Sequence, residues 1–411
     1  MILFDRFTLD NGLKVIVHQD KTTPIVAFNL LYNVGARDEN PEKTGFAHLF
    51  EHLMFEGSVN IPNYDTPLQR AGGENNAFTN NDITNYYITL PKENLETAFW
   101  LESDRMLELA LTQEKLDIQK KVVIEEFKQR YLNQPYGDWN LFLRPLAYKK
   151  HPYQWPTIGK EISHIENTTL QEVKDFFFKH YAPNNAILVV AGNVNVNEIQ
   201  KLAEKWFGPI PQRNVPVRNI PQEPKQIEAR FMELERQVPL NAIYKAYHMN
   251  ARGEHDYYAT DLISDILSNG KSARLMQRLV KEQKLFNSIN AYITGDTDPG
   301  LFMVTGNLNE GISFEQGEEA LQVELQKIIT EQVDEYELDK VKNKVESSLI
   351  YSEISILNKA MNLAFNELLG NAEFINQETL RYQKVSGEQI QTVAKTLFAP
   401  INCSTLYYKT K

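Results

Sequence analysis

The segment "PIVAFNLLYNVGAR" (24–37) can be laid on "PLNAIYKAYHMNAR" (239–252) without a gap. Pro, Ala, Tyr, Ala and Arg match, and Glu39 then falls on Glu254. Allowing a two-residue deletion, "GFAHLFEHLMFEG" (45–57) falls on "YYATDLISDILSNG" (257–270), with Gly57 on Gly270. In that register His48, Glu51 and His52 become Asp261, Ser264 and Asp265. A strand–helix unit repeated in this way predicts a duplicated fold in which only the first copy keeps the chemical residues. The expected class is α+β: two homologous domains, each a mostly antiparallel sheet with helices packed on one face. Neither half has the even rhythm of strand and helix that a doubly wound parallel sheet requires.

Working outward, "FDRFTLDNGLKVIVHQD" (4–20) reads as two strands around a turn at Asn11-Gly12, a strong hairpin signal. Helical periodicity begins at Thr44 and recurs around 93–110, 113–133 and 169–180, the last opened by the capping pattern Thr169-Leu-Gln-Glu172. "NAILVVAGNV" is a buried strand, and "VNEIQKLAEKWFG" an amphipathic helix ending at Gly208. Prolines at 209, 211, 216, 221 and 224 then exclude both helix and central strand. The expected organisation is therefore a domain at 1–208, a linker at 209–224 and a second domain at 225–411.

The 411 residues, 42% of them hydrophobic, suffice for two sizeable cores. A net charge of −11 argues against nucleic acid as partner, because phosphate binding needs a basic face. The single cysteine, Cys403, rules out an internal disulfide or a cysteine-based zinc cluster. No apolar run approaches the ~18 residues that span a bilayer, and Asp5 and Asp10 interrupt the N-terminus too early for a signal-peptide core. The expected location is the cytoplasm; a leader removed before residue 1 would make it the periplasm.

His48 and His52 stand at i and i+4, so on a helix both imidazoles project from one face about a turn apart. That separation suits two ring nitrogens binding one Zn²⁺ at ~2.0–2.1 Å. Glu51, on the neighbouring strip, is placed to accept a proton from a water that the metal acidifies. The order His-x-x-Glu-His is the inverzincin signature. An exposed polar helix face explains the trio poorly, because Ala47, Leu49, Phe50, Leu53, Met54 and Phe55 surround it. A catalytic zinc needs a third protein ligand. "KKVVIEEFKQRYLNQPYGD" (120–138) offers Glu125 and Glu126, which point about 100° apart on a helix, and spacing alone leaves both open.

"TGFAHLFEHLMFEGS", "AGGENNAFTNNDITNYY" and "VVIEEFKQRYLNQPYGD" together resemble the pitrilysin family of zinc peptidases, which includes insulin-degrading enzyme and the mitochondrial processing peptidase. The likeness is nearest to the short bacterial branch and covers nearly the whole chain. It implies that His48, His52 and Glu126 are the ligands and Glu51 the general base. It also implies that Asn76, Ala77, Phe78 and Thr79 form a strand that pairs with an extended substrate; read without it, "GGENNAFTNNDITNYY" (72–87) is a loop leading into an edge strand.

Two positions depart from the family pattern. Gln119 stands where a supporting glutamate is usual, keeping hydrogen bonding near the metal but losing charge. Val280 and Asn287 stand where the distal half usually carries an Arg and a Tyr that reach substrate. The implied function is zinc-dependent endopeptidase, the metal-bearing subunit of a two-chain enzyme whose homologous partner supplies the Arg and Tyr. A self-sufficient homodimer is the other assembly, and a non-catalytic assembly subunit the alternative function. Other motifs fail: "GKSAR" (270–274) has Asp265 where a phosphate loop needs its first glycine, and "DTDPG" (296–300) has no calcium-loop continuation.

Overall fold

The Asn11-Gly12 pair turns the chain between strands β1 (Asp5–Thr8) and β2 (Lys14–Gln19). Gly12 adopts φ 88°, open to glycine at no steric cost, and its N–H donates to Leu9 O at 2.9 Å. The structure, a computed structural model, describes all 411 residues. They form two units, each with its own sheet. The first comprises Met1–Phe127, Trp155–Ile220 and Ile350–Gln377; the second comprises Lys128–Gln154, Pro221–Leu349 and Glu378–Lys411.

In the first unit β3 (Ile25–Tyr32), β4 (Glu74–Thr79), β5 (Thr84–Pro91) and β6 (Ala186–Gly192) complete a six-stranded sheet of order β1-β2-β6-β3-β5-β4. Only β2 and β6 run parallel; the other neighbours are antiparallel. Three helices matter to the site: α1 (Phe46–Leu53), α2 (Leu95–Leu107) and α3 (Gln113–Phe127). The helical pattern expected to 133 leaves the α geometry after Phe127 and continues as a π-helical segment, Lys128–Leu132. Thr169 and Glu172 form the expected capping box of the helix Leu170–His180.

The expectation of helices on one face is corrected here, because both faces of the sheet are covered. From one face Phe28 meets Phe99 of α2 edge-on at 5.0 Å and stacks on Phe207 at 6.4 Å. On the other, Ala27, Leu31, Val189 and Ala191 pack with Ala360, Leu363 and Ala364 of the helix Ile356–Leu368. The cause is in the strands: "IVAFNLLY" and "AILVVAG" are apolar at consecutive positions, so each face presents hydrophobic surface that must be buried. Each fully buried Leu contributes roughly 1.5–3 kcal/mol.

In the second unit β7 (Arg230–Arg236), β8 (Ala242–His248), β9 (Phe286–Ile293), β10 (Leu301–Leu308) and β11 (Cys403–Thr410) form a sheet of order β7-β11-β8-β10-β9. Substituting β2, β6, β3, β5 and β4 in turn reproduces the first sheet without its edge strand β1, including the one parallel pair, here β7 with β11. Again both faces are covered. Ile243 and Tyr247 pack with Leu262, Ile263 and Ile266 of the helix Tyr257–Ser268. Ala242, Tyr244 and Ala246 pack with Leu143, Leu146 and Ala147 of the helix Trp139–Ala147, where Trp139 stacks on Tyr244 at 4.9 Å.

Each half of the sequence thus lends one helix to the other unit. Residues 211–227, which hold most of the proline-rich stretch, carry neither helix nor strand. No helix is long and apolar enough to cross a membrane.

Candidate metal centre

The eight residues of α1 bury Phe46, Ala47, Leu49, Phe50 and Leu53, which leaves His48, Glu51 and His52 on the face turned from the core. The two imidazoles lie 4.9 Å apart between ring centres, nearly perpendicular. Leu116, Val123 and Phe127 are the buried residues of α3, and that packing rotates Glu126 toward α1 while Glu125 is exposed. One oxygen, Glu126 Oε2, is 3.4 Å from His48 Nε2 and 3.6 Å from His52 Nε2. The ligand atoms of all three residues lie within 4.8 Å of one another, the one such group of histidine, cysteine or acidic side chains in the chain. Of the two candidates that spacing left open, the fold brings Glu126 to the histidines.

The donor set fits zinc. Bonds of about 2.0–2.1 Å at tetrahedral angles place ligand atoms about 3.3 Å apart, close to the two separations observed here. Two neutral nitrogens and one carboxylate suit that borderline metal better than calcium or magnesium, which favour all-oxygen sites.

Glu51 is half-buried beside this trio. Burial raises its carboxyl above the usual carboxylate range; the nearby polar groups of Thr79 and the proximity of His52 oppose the rise. Thr79 closes β4, which is the outer strand of its sheet rather than a loop leading into one. Residues 74–79 alternate in exposure along it, with Asn76 and Phe78 outward, and the Asn76 Oδ1 accepts from Ala77 N at 2.8 Å. Of the four residues expected on this strand, Thr79 therefore also touches Glu51.

Gln119 donates through Nε2 to Glu56 Oε1 at 2.5 Å. Glu56, on the segment that follows α1, is a partner of Gln119 that motif reading did not single out. Glu39 was legible only as a match to Glu254; nothing local announces that it reaches α1. In the second unit Val280 packs against the core, and Asn287 is exposed on the outer strand β9. Asp261, which occupies the His48 position of the repeat, accepts a hydrogen bond from Tyr382 Oη at 2.5 Å, and Asp265 one from Asn269 Nδ2 at 2.5 Å.

A duplicated α+β fold with His-x-x-Glu-His on a helix of the first copy, and a glutamate from a second helix facing both histidines, defines a protein with one inverzincin-type centre. The chain belongs to the M16 peptidases. Residues 14–157 match the model of the Insulinase (Peptidase family M16) domain, and residues 167–345 match that of the Peptidase M16 inactive domain. The first range contains the histidines, and the second contains Asp261, Ser264 and Asp265 in their place. The zinc protease PqqE of Helicobacter pylori is 29% identical over 410 residues, covering 98% of this chain and 92% of that protein. The mitochondrial-processing peptidase subunit beta of Saccharomyces cerevisiae is 24% identical over 363 residues, 84% of this chain and 77% of that one. The crystal structure of a protease from Helicobacter pylori superposes with a TM-score of 0.94 at 29% identity, covering 100% of both chains.

Proposed function

We propose that this chain is a zinc-dependent endopeptidase that cleaves peptides or unfolded segments bound in extended form. The observation that carries the reading is the convergence of His48 Nε2 and His52 Nε2 on Glu126 Oε2, with Glu51 next to them on the same helix. His48, His52 and Glu126 would hold the metal. When bound, zinc supplies Lewis acidity that polarises a carbonyl and acidifies a water. Glu51 would act as the general base, accepting a proton from the attacking water on its carboxylate and returning it to the leaving amine. The outer edge of β4 offers main-chain groups to an extended substrate regardless of its side chains, with Asn76, Ala77, Phe78 and Thr79 along it.

The assembly we propose has two chains, this one bearing the metal. Val280 and Asn287 occupy the positions where the resemblance places an Arg and a Tyr, and a homologous partner carrying them would complete the site. The test is direct. Purified chain, loaded with zinc, is assayed on a mixed peptide library alone and with a homologue that lacks His-x-x-Glu-His but carries the Arg and Tyr. Weak turnover rescued by the homologue supports the two-chain enzyme, and robust turnover alone supports a self-sufficient one. No cleavage under either condition, with zinc bound, would leave a non-catalytic assembly subunit as the reading.

A further inference from the structure

We propose that Glu39 is a positioning residue for the metal centre, fixing the N-terminus of α1 so that His48, Glu51 and His52 project toward Glu126. The inference rests on the metal reading given above and adds to it a residue outside the motif.

The first N–H groups of an α-helix have no intrahelical partner, and in one as short as α1 they are a large share of the whole, so its first turn needs a cap. It cannot supply one itself, because its N-cap is Gly45, which has no side chain. No other residue fits there: Gly45 has φ 90°, and a Cβ would lie 2.7 Å from Ile158 O. Glu39, six residues upstream, takes over. Its Oε2 accepts from Gly45 N at 2.9 Å and its Oε1 from Ala47 N at 2.8 Å. The second bond holds the Phe46–Ala47 peptide, one residue ahead of His48.

Glu39 is itself held from several sides. Trp155 Nε1 donates to Oε2 at 3.1 Å and also to Ala36 O at 3.1 Å. The neighbouring Asp38 receives Gly35 N at 2.9 Å and a forked Arg218 guanidinium at 2.6 and 2.8 Å. The residue is only 7% exposed, and burial pushes the pKa of its carboxyl group up to about 8 despite three N–H donors. An acid so placed is costly to bury, and a simple side-chain cap would serve a helix that needed only stability.

The second copy supplies the contrast. There Glu254, which matches Glu39 in the repeat, accepts from Ala251 N at 3.0 Å within its own turn. The helix that follows, Tyr257–Ser268, carries Asp261 and Asp265 instead of histidines. The reach into the helix accompanies the metal-type residues and is absent where they are absent.

The test compares zinc affinities of the folded, metal-free full chain, measured by competition with a chromophoric chelator. Glu39→Gln replaces one of the two accepting oxygens by an amide that faces an N–H donor, and is expected to weaken zinc binding about 10–100-fold, as outer-shell changes do. Ile199→Ala, which cuts a buried side chain from another helix of the same unit, serves as the stability control: it should lower Tm and leave zinc affinity unchanged. Zinc affinity unchanged in Glu39→Gln, or reduced as much in Ile199→Ala, overturns the proposal. If Glu39→Gln does not fold, Glu39→Asp carries the same test, since its carboxylate falls one methylene short: weakened binding supports the role and wild-type binding overturns it. Failure of the unmodified chain to bind zinc, with His48→Ala no different, would instead overturn the metal reading and the positioning role with it.

Discussion

Thr79, the last residue of the outer strand β4, stands beside Glu51 of α1, and the polar groups of its side chain and main chain favour the ionised form of that carboxyl. The strand that offers an edge to substrate and the helix that carries the base are therefore joined at one residue. Removing the hydroxyl in Thr79→Val should leave zinc content unchanged and lower kcat about 10-fold, the equivalent of ~1.4 kcal/mol for a hydrogen bond to a charged group. Thr79→Ser should retain most of the activity. Steady-state kinetics with metal analysis of each variant decides it; full activity in Thr79→Val would mean the hydroxyl does not orient the base.

Glu51→Gln keeps the size and hydrogen bonding of the side chain but cannot accept a proton. Zinc should remain bound while peptide hydrolysis falls by roughly 10²-fold or more. An active Glu51→Gln protein would remove this residue from the chemistry.

The two neighbouring glutamates of α3 should separate cleanly. Glu126 faces both histidines and Glu125 is exposed, so Glu126→Gln should lower zinc occupancy and Glu125→Gln should leave it near one per chain. Metal content by mass spectrometry reads the difference. Equal loss in both would show that the helix faces α1 in another phase.

His180 should make the fold sensitive to acid. Its ring is buried, and burial lowers its pKa from 6.5 to about 4, with nearby Asp38 opposing and Lys179 and Arg218 reinforcing the shift. Between these two pH values the unfolded chain binds the proton and the folded chain does not. Stability from this group is therefore complete above pH ~6.5 and is lost as pH falls toward ~4, on the order of 3 kcal/mol in all. Glu39, raised to about 8, acts in the opposite sense, its contribution declining as pH rises from ~4.5 to ~8. Denaturant unfolding at pH 7 and pH 4.5 should thus show a smaller acid-induced loss in His180→Phe than in the parent chain. An identical loss in both would exclude His180 as its source.

Neither half of the sequence should fold alone. A fragment ending at Ile220 lacks the helix Ile356–Leu368, which leaves Ala27, Leu31, Val189 and Ala191 uncovered on one face of the first sheet. Expressed separately, residues 1–220 and 221–411 should aggregate or remain molten; expressed together they should copurify with native circular dichroism. A monomeric, cooperatively unfolding fragment 1–220 would contradict this.

What could be read from the sequence was local in physical origin. The spacing of His48, Glu51 and His52 determines their shared face once a helix forms, because 3.6 residues per turn needs no tertiary information. The hairpin at Gly12 and the capping box at Thr169 likewise depend on neighbours a few residues away, and the repeat was visible because corresponding strands must bury corresponding positions.

Tertiary structure decided the rest. Glu126 rather than Glu125 turns to the histidines because α3 is rotated by the burial of Leu116, Val123 and Phe127, and the phase of one helix against another is set by packing, not by spacing along the chain. The contacts of Glu39 with Gly45, Ala47 and Trp155 and of Gln119 with Glu56 join segments that no short-range pattern connects. The exchanged helices show the same limit. An apolar face announces that a helix must be buried, but the hydrophobic effect is not directional. Only the assembled fold selects which sheet receives it.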